Sequence, residues 1–160
     1  MPLNLYLPTE DEKLDKKKKA ITIYKVKIGN ELKLPYVEMG VKAGFPSPAQ
    51  DYVDYVGIDL NKELIRHPSS TFFARVDGDS MIGAGIDDGD ILIIDRELEA
   101  VNGNIVLCFI DNEFTVKTLE KKGDDIYLNP ANINYKPIKV TSENDFMIWG
   151  VVTYSIKKHR

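Results

Sequence analysis

Ser80 and Lys117 are the two residues of this chain whose type and setting could support covalent chemistry. Ser80 lies in Gly78-Asp79-Ser80-Met81, directly after the apolar stretch Phe72–Val76. A serine on a glycine-containing turn projects its hydroxyl, and neighbouring backbone N–H groups can point at a developing oxyanion. Lys117 lies in Glu113–Leu119 (EFTVKTL), an alternating segment in which Phe114 and Val116 share one face and Thr115, Lys117 and Leu119 the other. Taken singly, these are better read as a turn serine and an exposed strand lysine. Taken together they describe a dyad. A lysine kept neutral by burial, its pKa lowered from about 10.4, can take the serine proton during attack on a carbonyl and return it to a leaving amine.

Other chemistries find little support. A Ser-His-Asp triad needs a histidine in the site, and the two present, His67 beside Pro68 and His159 near the C-terminus, read as surface residues. No His or Cys cluster has zinc-ligand spacing. The acidic stretch Asp77–Asp90 departs from a calcium loop at Met81. Gly83, Gly85 and Gly89 miss the dinucleotide spacing and lack a βαβ setting. The lone Cys108, inside IVLCFI, reads as a buried structural thiol. No cofactor or metal is expected.

The elements that must hold the two residues are mostly strands. Seven β-branched, apolar segments follow Thr71: Phe72–Val76, Ile91–Asp95, Asn104–Ile110, Glu113–Leu119, Ile126–Leu128, Ile138–Val140 and Phe146–Tyr154. Asp77-Gly78, Asp88-Gly89, Asn102-Gly103, Asp111-Asn112 and Gly123-Asp124 supply turns between them. This predicts a compact, mostly antiparallel β domain, sandwich-like or barrel-like. Ahead of it, Ile21–Ile28 alternates as a strand would, Leu32–Val37 reads as extended, and Ala49–Ile65 as helical or mixed, with Asp59 a candidate N-cap for Leu60–Ile65. Residues 1–20 are polar, charged and expected to be disordered. Phe45-Pro46-Ser47-Pro48 marks an extended linker.

The net charge of −4 is unevenly spread. Residues 1–43 hold nine Lys against six Asp and Glu, net +3; residues 44–160 hold twelve Lys and Arg against nineteen, net −7. So acidic a body would repel a phosphate backbone, which argues against direct sequence-specific DNA binding. Neither a signal peptide nor an apolar run approaching a membrane span is visible, so a soluble, cytoplasmic protein is expected.

Between residues 43 and 160 the chain resembles the LexA/UmuD family of self-cleaving serine peptidases, most closely the UmuD-type SOS mutagenesis proteins. The resemblance is carried by Ala43-Gly44-Phe45-Pro46-Ser47-Pro48-Ala49 with Asp51-Tyr52-Val53, Ile58-Asp59-Leu60-Asn61, His67-Pro68-Ser69, Gly78-Asp79-Ser80-Met81, Gly85-Ile86 with Asp88-Gly89-Asp90, Glu113–Lys117 and Gly150-Val151-Val152. It implies the family's β-rich peptidase fold at 44–160, preceded by an arm, 1–43, removed by self-cleavage. It implies Ser80 as nucleophile, Lys117 as general base, the backbone amides of Asp79 and Ser80 as oxyanion donors, and Ala43–Gly44 as the scissile bond. It further implies stimulation by RecA filaments on single-stranded DNA, and a homodimeric product serving a Y-family translesion polymerase in the SOS response. A non-cleaving, dimeric polymerase-binding module with a vestigial site is the competing expectation.

Overall fold

The computed structural model describes residues 22–25, 29, 33–37 and 55–160. Ten strands and one short helix follow in order: β1 (Thr22–Lys25), β2 (Lys33–Val37), β3 (Tyr55–Asp59), α1 (Leu60–Leu64), β4 (Thr71–Arg75), β5 (Ile91–Asp95), β6 (Ile105–Ile110), β7 (Glu113–Lys122), β8 (Asp125–Asn129), β9 (Ile138–Val140) and β10 (Phe146–Ile156). Eight of them form one sheet in the order β1-β4-β5-β10-β6-β7-β8-β9, while β2 and β3 pair as a separate ribbon. Every pairing is antiparallel. The fold is mostly β, as expected.

The turns follow from backbone chemistry. Asp111 and Asn112 both take positive φ, 48° and 68°, which matches the right-handed twist of the strands flanking a two-residue hairpin. They join β6 to β7 with Ile110 opposite Glu113, and Gly123 at φ 61° turns β7 into β8.

β6 explains how the sheet makes a core. Its run IVLCFI is apolar throughout because both faces are covered. Leu107 joins Ala74, Met81, Ile86, Leu92, Ile94 and Val116 on one side. Val106, Cys108 and Ile110 join Leu119 and Leu128 on the other. β7 alternates in the same way, sending Val116 to the first cluster and Leu119 to the second.

One expectation is corrected here. Of the helical or mixed region Ala49–Ile65, residues Tyr55–Asp59 form β3, and only Leu60–Leu64 is helical. Aromatic and β-branched Tyr55, Val56 and Ile58 suit a pleated ribbon, and pairing with β2 supplies the partner that local propensity cannot reveal. Asp59 does cap the helix, its Oδ1 accepting from the Asn61 N–H at 3.0 Å. Strand is described over Thr22–Lys25 within the expected Ile21–Ile28, and over Lys33–Val37. Residues 1–20, the Phe45–Pro48 linker and the Ala43–Gly44 bond lie outside the described residues. Among the described residues, no helix is long and apolar enough to cross a membrane.

His67 is not merely a surface residue. Its Nδ1 lies 2.6 Å from Oδ2 of Asp95, which is 3% exposed. This hydrogen bond, with the charge of Asp95 adding to it, raises the imidazole pKa against the opposing effect of burial.

β10 passes close to β5 at Gly150, where its register against β6 shifts. A Cβ there would lie 2.6 Å from Ile94 Cγ2 and 3.2 Å from the Asp95 carbonyl oxygen. Ile94 is fully buried and has no room to move. Gly150→Ala is therefore expected to cost about 1–3 kcal/mol through overpacking, read as a fall in the thermal unfolding midpoint; an unchanged midpoint would contradict this packing.

Candidate active site

Lys117 reaches the site from the middle of β7, opposite Val106 of β6. The residue is 7% exposed. The amine Nζ lies 2.9 Å from Ser80 Oγ, 2.7 Å from Thr115 Oγ1 and 2.9 Å from the carbonyl oxygen of Val116. Burial is the main cause lowering its pKa below the ordinary lysine value. Among the described residues no carboxylate lies within ion-pair distance of Nζ, so the ammonium has no counter-charge to hold it. The geometry also suits the neutral amine. Two N–H groups can donate to Val116 and Thr115 while the lone pair accepts from the Ser80 hydroxyl.

Cys108 lies on the same face of the sheet, opposite Thr115. It is fully buried, and desolvation pushes its thiol pKa up to about 11. A neutral thiol adds no charge beside the amine. This matches the expected structural role.

Ser80 is half-buried on the turn between β4 and a single 3-10 turn, Ile82–Ala84. Gly78, at φ 113°, makes the bend possible. The acidic loop that follows is the brace for this bend. The Gly78 N–H donates to Asp88 Oδ1 at 2.7 Å, and Val76 exchanges backbone hydrogen bonds with Gly89 and Asp90. A cleft opens beside Ser80, with Val76, Met81, Ile86, Phe114 and Val116 forming its apolar wall. The N–H groups of Asp79 and Ser80 make no hydrogen bond among the described residues.

The structure thus brings Ser80, Lys117 and the two backbone amides together, while Ala43 and Gly44 lie outside the described residues. His67 takes no part, being bonded to Asp95. Two features escaped the sequence reading. Thr115 holds the amine from two positions upstream, a spacing that strand alternation could have flagged. The second is the segment after β8. Ala131 donates its N–H to the Ser80 carbonyl at 2.9 Å, the Asn132 side chain donates to the Asp79 carbonyl at 2.9 Å, and the Tyr135 hydroxyl donates to Asp79 Oδ1. Nothing local in Asn129–Tyr135 signals a partner some fifty positions earlier in the chain.

A buried amine hydrogen-bonded to a serine on a braced turn is an arrangement suited to acyl transfer. Comparison with known proteins agrees with that chemistry. Residues 35–153 match the family described as Peptidase S24-like. The chain belongs to this family, the LexA/UmuD peptidases. It is 42% identical to protein MucA of Salmonella typhimurium over 127 residues, covering 79% of this chain and 86% of MucA. It is 43% identical to protein SamA of the same species over 118 residues, 74% of this chain and 81% of SamA. With the LexA repressor of Syntrophotalea carbinolica it shares 39% over 129 residues, 81% of this chain but only 62% of that repressor. The family match begins within β2 and ends within β10, so β1 lies outside it.

The lowered pKa of Lys117 carries a stability consequence whose sign is fixed. Between the depressed folded pKa and the unfolded value near 10.4, the unfolded chain binds the extra proton, so stability rises with pH across that window. Wild-type protein is expected to gain stability relative to Lys117→Met as pH rises towards the unfolded lysine pKa, measured by denaturant unfolding at a series of pH values. A difference between the two that stays constant with pH would mean that Lys117 titrates normally.

Proposed function

We propose that this chain is a self-cleaving peptidase whose substrate is its own Ala43–Gly44 bond. The single observation that carries the reading is the 2.9 Å contact between Ser80 Oγ and a buried Lys117 Nζ that has no charge partner among the described residues. Neutral Lys117 accepts the Ser80 proton as Oγ attacks the Ala43 carbonyl carbon. The tetrahedral oxyanion is received by the N–H groups of Asp79 and Ser80. As the intermediate collapses, the Lys117 ammonium returns its proton to the Gly44 nitrogen, which departs as an amine. A water, deprotonated by Lys117, then hydrolyses the ester between Ala43 and Ser80 and frees the serine.

The linker suits this role. Small Ala43 fits a narrow apolar cleft, Val41 offers an anchor two residues upstream, and Gly44 permits close backbone approach. The prolines at 46 and 48 disfavour helix, and an extended segment would leave its carbonyls open to attack. By resemblance to the UmuD-type SOS proteins, cleavage is stimulated by RecA filaments on single-stranded DNA in the cytoplasm. The product, residues 44–160, forms a homodimer and serves as accessory subunit of a Y-family translesion polymerase.

The division at residue 43 puts β1 and β2 in the departing piece, although they pair with β4 and β3 of the remaining body. Hydrolysis therefore cuts the covalent tether first, and separation of the strands is a second step.

Full-length protein incubated at alkaline pH, or with RecA filaments at neutral pH, is expected to yield a fragment with the mass of Gly44–Arg160. The rate should rise with pH and level off once Lys117 is neutral. Ser80→Ala should abolish cleavage with folding intact, and Lys117→Ala should slow it by about 100-fold or more. Absence of the fragment under both conditions would favour the non-cleaving binding module instead.

A further inference from the structure

The contact between Asn132 and the nucleophile turn has a directed geometry. The Asn132 Nδ2 donates to the Asp79 carbonyl oxygen at 2.9 Å, while its Oδ1 accepts from the Asn134 N–H at 3.0 Å. One partner can only accept and the other only donate, so the orientation of the amide is fixed. The Asp79 carbonyl and the Ser80 N–H are the two ends of one planar peptide unit, pointing in opposite directions. Holding the carbonyl therefore aims the N–H.

The segment that carries Asn132 is itself locked to the turn. Ala131 donates to the Ser80 carbonyl at 2.9 Å and accepts from the Gly83 N–H at 2.6 Å. Gly83 admits this approach because it has no side chain; a Cβ there would lie 2.5 Å from the Ala131 oxygen. The Tyr135 hydroxyl holds the Asp79 carboxylate, and the Tyr135 N–H donates to the Asn132 carbonyl at 3.1 Å. The carbonyls on both sides of Ser80 are thus both held from one loop, the Asp79 oxygen also accepting from the Ile82 N–H of its own turn at a longer 3.3 Å, and the N–H between them is left without a partner among the described residues.

We propose that Asn132 is a positioning residue of the peptidase site, aiming and polarising the Ser80 N–H as an oxyanion donor through the Asp79–Ser80 peptide. A hydrogen bond accepted by the carbonyl strengthens the donor at the other end of the unit. Asn132 touches neither the scissile bond nor Lys117 in this scheme. The inference rests on the reading of Ser80 as the self-cleaving nucleophile.

The test uses the full-length chain, following self-cleavage by mass spectrometry across an alkaline pH series. Asn132→Ala and the isosteric Asn132→Asp, which cannot donate once ionised, should each lower the plateau rate by about tenfold or more, less than direct loss of an oxyanion donor. The pH midpoint should stay at the wild-type value, because the surroundings of Lys117 are untouched. In 15N–1H spectra of intact protein at neutral pH, the Ser80 amide proton should move upfield in Asn132→Ala while resonances of β6 and β10 stay in place. Wild-type rates in both variants, a shifted pH midpoint, or an unmoved Ser80 amide would each overturn the proposal alone. A wild-type chain that never cleaves would instead overturn the parent reading, and this one with it.

Discussion

A primary amine buried with no counter-charge among the described residues is the constraint on which this structure turns. Lys117 is 7% exposed, and among the described residues its amine hydrogen-bonds the oxygens of Ser80, Thr115 and Val116. Burying an ammonium in such a place is costly, and the lowered pKa is the form that cost takes. For the amine to stay buried, both faces of β7 must be covered. That coverage comes from β6 and β8 alongside and from two apolar clusters, one on each side. The length of β7, ten residues, lets one strand serve both clusters and still present Thr115 and Lys117 to the serine turn. In the proposed reaction, stability and reactivity would pull against each other at this one residue.

The serine side of the pair shows a different kind of constraint. Ser80 sits on an irregular turn, and a turn alone would not hold a hydroxyl to a fraction of an ångström. Here the turn is tied to other segments by Gly78 to Asp88, the Asp79 carbonyl to Asn132, the Asp79 carboxylate to Tyr135, and the Ser80 carbonyl to Ala131. The acidic run Asp77–Asp90 thereby acquires a structural explanation. Asp88 caps a backbone N–H, Asp90 accepts from the Asp87 N–H, and Lys157 from the chain terminus pairs with Asp87 and Asp90. Rigidity at the serine turn is built from hydrogen bonds to its main chain, some from backbone groups such as Ala131 and some from the side chains of Asp88 and Asn132.

That distribution explains what could be read from the sequence. The strands after Thr71 were legible because β-branched runs and turn dipeptides are local signals. Ile91–Asp95 and Ile138–Val140 have the very bounds the pattern indicates, and Gly78, Gly89, Gly103 and Gly123 all take the positive φ that their turns require. Ser80 and Lys117, each with a commoner explanation alone, were legible as a pair through the dyad chemistry they allow together, which the family resemblance then strengthened. β3 was hidden because its partner, β2, is a distant segment, and pairing outweighed the mixed local propensity of Ala49–Ile65. The same holds for His67, whose partner Asp95 lies 28 positions away. Thr115 was the exception, a neighbour in the strand whose role was available from alternation.

The position of β1 bears on how cleavage would act as a switch. This strand precedes the family match yet completes the edge of the main sheet, with Ile23 packed against the cluster that contains Ala74, Leu92 and Ile94. Four residue pairs, from Thr22 opposite Arg75 to Lys25 opposite Phe72, hold it there. While the chain is continuous, the tether keeps β1 at a high effective concentration near β4. Once the proposed bond is cut, β1 and β2 must hold on their own pairings with β4 and β3, two short ribbons with limited contact. Hydrolysis of one peptide bond can therefore change the surface of the sheet at a distance from the serine, with no rearrangement of the site itself. The +3 charge of residues 1–43 against the −7 of the body adds an attraction that opposes departure and weakens with salt. In the proposed reaction, departure of the piece would therefore balance a lost tether against a net-charge attraction that ionic strength weakens.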